Sequence, residues 1–136
     1  MIERLPDWEQ RLHDYVVGLE GRPFVWGRLD CALFAAGAVL AQTGVDFAAP
    51  FRGRYQTARG SVRALRRFGA GTLEATIDAA LPRTPVGYVR RGDLVMADGI
   101  AGVCTGAAAL FVGDVDGAPG WVTLERAAWS TGWSVG

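Results

Sequence analysis

The chain has 136 residues, half of them hydrophobic, with 14 basic and 14 acidic side chains and a net charge of zero. That length carries one domain with a proper core, and a neutral balance gives no support to a general attraction for nucleic acid or membrane surfaces. Every basic residue is arginine, a bias that carries no function by itself. Two cysteines 73 positions apart and a single histidine make neither a zinc site nor a disulfide framework, so no cofactor or metal is expected. The first twenty residues carry charge throughout and lack an apolar h-region, so no signal peptide is expected, and the longest apolar runs are far too short to span a membrane.

Residues 6–20 predict an amphipathic helix. Pro6 suits the first helical position, Asp7 and Glu9 the first turn, and Gly21 the end. Trp8, Leu12, Tyr15 and Leu19 share one apolar face. His13 falls off that stripe beside Asp14, where it reads as a solvated surface side chain rather than a catalytic base.

The next stretch, Phe24-Val25-Trp26-Gly27-Arg28-Leu29-Asp30-Cys31, is a turn that delivers a cysteine to the start of an apolar helix over 30–42. Asp30 is a natural N-cap and Gly44 a C-cap signal. In the first turn the positive end of the helix dipole favours a thiolate, so Cys31 reads either as an activated nucleophile or as a buried structural thiol. The helix has no polar face, which makes it the central element against which a sheet packs.

Residues 45–60 look irregular. Ser61 is then expected to cap a short helix to Phe68, and a second is expected over 72–81 with Leu73 and Ile77 inward. Six arginines and no acid lie between Arg52 and Arg67, either a solvated face or a surface for an acidic partner. From Pro85 onward the pattern predicts strands at 86–89, 94–97, 100–105, 108–112, 121–124 and 128–133, with a hairpin turn at 114–117. Helices first (1–82) and an antiparallel meander second (83–136) predict a single α+β domain over 1–136.

The turn Phe24-x-Trp26-Gly27-x-x-Asp30-Cys31, with Gly92-Asp93-Leu94-Val95, resembles the NlpC/P60 group of papain-like cysteine peptidases. Together with Tyr55, Gly102-x-Cys104-x-Gly106 and Ala128-Trp129, it is similar to a small prophage-encoded domain family related to that group. The resemblance covers nearly the whole chain. It implies a papain-like fold: helices, including the Cys31 helix, packed on an antiparallel sheet or small barrel. It also implies a product made in the bacterial cytoplasm and incorporated into a phage or phage-like tail among tip and hub proteins. In NlpC/P60 enzymes a helix-start cysteine attacks peptidoglycan amides, a strand histidine accepts its proton, and a polar residue orients the imidazole.

Carried over residue by residue, Cys31 stands at the nucleophile, with Asp30 and Trp26 in the cleft turn. Ile100 stands where the base belongs, and the orienting position falls near Val112, with Asp114 the nearest polar side chain. General acid–base help is worth roughly 10²–10⁴ in rate, so the expected function is a tail-tip structural protein on a degenerate peptidase scaffold. The alternatives are an active peptidoglycan endopeptidase or amidase using Cys31, with a base from His13 or another subunit, or a thiol-dependent acyl or lipid-modifying activity. The cues for docking are Trp121, Trp129, Trp133 and the arginine cluster. Cys104 shares strand parity with Ile100 and is expected to face the same helix. It lies roughly 13 Å along the strand from the base position, which argues against a Cys31–Cys104 disulfide.

Overall fold

The computed structural model describes residues 2–115 and 118–136, with no side-chain description at 114, 115, 118 and 119. Four helices precede a six-stranded sheet: α1 Trp8–Gly18, α2 Cys31–Thr43, α3 Ala58–Phe68 and α4 Leu73–Ala80, then β1 Arg83–Thr84, β2 Leu94–Ala97, β3 Ile100–Cys104, β4 Ala108–Val115, β5 Ala118–Glu125 and β6 Thr131–Trp133. All pairings are antiparallel, in the order β1-β6-β2-β3-β4-β5. The domain is therefore α+β, but the sheet is not a simple meander, because the last strand inserts between the first two.

The local reasons are readable. The α2 helix begins at Asp30, whose side chain accepts from the Leu33 amide, and ends at Gly44 with φ of 80°, a left-handed conformation that glycine adopts without strain. Helix α1 lies across it at close range: Gly37 faces the Tyr15 ring, where a Cβ would collide with the hydroxyl, and that hydroxyl donates to the Phe34 carbonyl at 2.9 Å. Phe34, Ala35, Ala38 and Val39 of α2 meet Leu94, Met96, Ala101, Val103, Val112 and Trp133 from one face of the sheet. A separate cluster of Val95, Ala97, Cys104, Ala109, Phe111 and Trp129 buries the other face. A third cluster packs Leu33 with Ala48, Phe51, Tyr55 and Ala64. Thus α2 is covered on several sides, as its all-round apolarity requires.

Several expectations need correction. Helix α1 starts two residues later than expected, at Trp8. Helix α3 starts at Ala58, because Thr57 and not Ser61 is the cap; Thr57 Oγ1 accepts from the Gly60 amide at 3.0 Å. Residues 86–88 form a 3-10 turn after Pro85 instead of a strand, and 126–128 form another before β6. The expected hairpin at 114–117 includes positions 116 and 117, which lie outside the described residues. Trp129 and Trp133 are buried, and half-buried Trp121 donates to the Arg22 carbonyl, so these tryptophans are core and not an exposed docking patch.

Candidate functional site

The turn before α2 closes on itself. Val25 and Leu29 exchange backbone hydrogen bonds of 2.8 and 2.9 Å, and Gly27 sits at the apex with φ of 79°. A side chain at Gly27 would run into the Tyr55 carbonyl, so only glycine fits this approach. Asp30 ties the turn to the helix. Its Oδ2 accepts from the Gly27 amide at 3.0 Å and from the Tyr55 hydroxyl at 2.5 Å, while Oδ1 accepts from the Leu33 amide at 3.0 Å. Asp30 is 1% exposed and its carboxylate takes three donors, so it acts as a structural clamp. Burial, followed by the bond to Asp30, pushes the Tyr55 hydroxyl far above the usual range.

Cys31 follows directly, half-buried in the first turn of α2. Burial pushes its thiol up from the ordinary value, and the nearby Asp30 charge adds to this; hydrogen bonds from the backbone of Ala101, Ala32 and Cys31 itself oppose it without prevailing. Of the two readings of Cys31, the surroundings favour the neutral thiol over the thiolate, because desolvation outweighs the amides. The strand beside the sulfur is β3, and the side chains of β3 that face α2 are Ala101 and Val103.

Ile100 contributes to the wall near Cys31, yet its side chain packs with the opposite cluster, and Cys104 points the same way. Ile100 and Cys104 do share parity; it is the face that differs from expectation. Neither Ile100 nor Ala101 can accept a proton. His13 is exposed on α1 and takes no part in the wall. Asp114 lies on β4 opposite Pro119, and its side chain is outside the described residues. Both cysteines are free thiols, and Cys104 is fully buried.

A cavity of about 260 Å³ opens beside Cys31, lined by Trp26, Asp30 and Ile100 and by residues of α2, α3 and α4. Among the described residues, no group of three or more His, Cys, Asp or Glu side chains could hold a metal, and no helix is long and apolar enough to cross a membrane. Helix α3 displays Arg59, Arg63, Arg66 and Arg67, all exposed. Of the six arginines in this region only Arg52 has a carboxylate partner among the described residues, Asp46 at 3.0 Å. Sequence reasoning missed two partners of the site. Tyr55, 25 positions from Asp30, had no role assigned, and the Ala101 amide carries no sequence signal.

An α+β domain with a helix-start cysteine, a clamped cap and an apolar cleft is the class that the fold and site define. The chain belongs to the family described as Domain of unknown function (DUF6950), whose model matches residues 3–135. No curated protein and no solved structure matches the chain at a significant level.

Proposed function

We propose that this domain is a papain-like scaffold of NlpC/P60 type that does not hydrolyse amides and serves as a structural component at the tip or hub of a phage or phage-like tail. One observation carries the first half: the Cys31 sulfur meets backbone amides, and the helix-facing residue of the adjacent strand is Ala101, where a base would have to stand. A half-buried neutral thiol with no imidazole or other base facing it among the described side chains is a poor nucleophile, and no imidazole among them is placed to protonate a leaving amine. The tail context comes from the motif resemblance. The arginine face of α3 offers the docking surface, toward an acidic partner among the tail-tip and hub proteins. Such a product is made in the bacterial cytoplasm and ends in the virion; it needs no cofactor, nucleic acid or membrane insertion.

Incubation with purified peptidoglycan, read by mass spectrometry, tests the chemistry. No new amino termini are expected; fragments that disappear with Cys31→Ala would restore the peptidoglycan endopeptidase or amidase reading. That second reading has one observation in its favour, a cavity that stays open beside the thiol. Proteomics of purified phage particles from the host bacterium tests the context: the chain is expected among the tail proteins, and its absence from every particle would end the structural role.

A further inference from the structure

The wall of the cavity beside Cys31 has a chemistry that points to a ligand. It follows α2 from Cys31 to Val39, roughly 12 Å of helix, with Phe51 and Ile77 among the residues across from it. Four of its side chains carry a hydroxyl or carboxyl group, and each is already engaged within the protein; the Trp26 indole adds one further N–H to the wall. Asp30 and Tyr55 are bonded to each other, and Asp30 also holds the turn. Ser61 Oγ donates to the Ala58 carbonyl at 2.6 Å. Thr76 Oγ1 donates to the Thr72 carbonyl at 2.6 Å and accepts from the Ala70 amide at 3.0 Å. A buried water needs two to four polar partners, and most of this wall is apolar. Sealed apolar cavities of about 150 Å³ take up benzene; this cleft is larger, and its lining runs along α2 from Cys31 to Val39, which suits an elongated apolar chain. Phe47 and Gly99 belong both to the wall and to the exposed surface, so the cleft reaches solvent.

We propose that this cavity binds one straight aliphatic chain, of the kind carried by a fatty acid or by the acyl tail of a lipid, held non-covalently with the Cys31 thiol in its wall. The chain fills the cleft while a polar head remains at the mouth. The proposal concerns the same cleft as the functional reading above but does not depend on it, because a chain binds there whether or not the domain cleaves amides or enters a tail.

Calorimetric titration of the full chain with octanoate, decanoate, dodecanoate and hexadecanoate is the test, with phosphatidylglycerol vesicles as a second arm. Affinity is expected to rise with chain length until the cleft is full and then level off. Binding of the free acids marks a soluble chain as the source, and capture of vesicle lipid alone marks a membrane acyl tail. Ala36→Phe and Ala80→Phe fill the cavity from two sides, and each is expected to weaken binding by at least about tenfold while keeping the thermal midpoint. Should one variant fold poorly, the other and the protection of Cys31 from maleimide by bound dodecanoate or vesicle lipid carry the result. No heat with any chain and no protection of Cys31 would overturn the proposal, as would undiminished binding in both filled variants.

Discussion

At the scale of single residues the site hangs on Asp30. Its carboxylate holds the Gly27 amide, the Leu33 amide and the Tyr55 hydroxyl at once, and so fixes the turn, the helix start and the segment carrying Tyr55 around Cys31. Asp30→Ala removes an N-cap and leaves two more donors without a partner, for an expected loss of about 2–4 kcal/mol. Tyr55→Phe removes one bond to a charged acceptor, for about 1–3 kcal/mol. Urea denaturation reads both as a lowered midpoint at constant slope; a loss below about 1 kcal/mol for Asp30→Ala would show that the clamp contributes little. The cap itself was legible in the sequence, because a cap, a helix start and a C-terminal glycine are local chemistry. The bond from Tyr55 was not: that residue lies 25 positions away in a segment with no periodicity.

Among elements, the sheet shows where pattern reading stops. Residues of β2, β3 and β4 alternate between two clusters, and both clusters are buried and apolar. Alternation then fixes which residues share a face but gives no sign for which face meets α2, so Ile100 and Cys104 were expected inward and Ala101 and Val103 lie there instead. The corner joining α4, β1 and β6 is a second element-scale device. Arg83 binds Asp78 and Glu74 at 2.7 Å each, and Asp78 Oδ1 also accepts from the Trp133 indole at 2.9 Å. The bond from Arg83, followed by that from Trp133, holds the Asp78 carboxyl down at about 2, below its ordinary 3.8. A carboxylate depressed in the folded state stabilises above its unfolded value, and that contribution is lost as pH falls toward about 2. Asp78→Asn is therefore expected to lower the urea midpoint near neutral pH and to converge with the unmodified chain in strong acid. A difference that persists unchanged in acid would assign the effect to packing instead.

For the molecule as a whole, the N-terminal segment is tied to both halves of the fold by one buried ion pair. Arg4 reaches Asp93 at 2.9 Å, with side chains only 9% and 2% exposed, and also contacts Gln42 of α2. Asp93 in turn accepts from the Val135 amide near the C-terminus. Arg4→Ala leaves a buried carboxylate without its cation, and the expected cost is about 3–5 kcal/mol by denaturant unfolding; a change within about 0.5 kcal/mol would show the pair to be dispensable. This strap and the insertion of β6 between β1 and β2 join positions far apart in the chain, which local pattern does not encode. The α+β class and the central place of α2 were legible, because composition and all-round apolarity impose them.

What unites these scales is a half-buried thiol that desolvation keeps neutral, beside a strand that supplies the Ala101 amide and turns only Ala101 and Val103 toward α2. The most direct measurement isolates Cys31 in a Cys104→Ala variant and follows thiolate absorbance and alkylation rate as pH is raised. A titration above the ordinary thiol value of 9.0, with alkylation near neutral pH slower than for an unstructured peptide thiol, is the predicted result. A thiolate already formed near neutral pH, with a rate that has reached its plateau there, would contradict it.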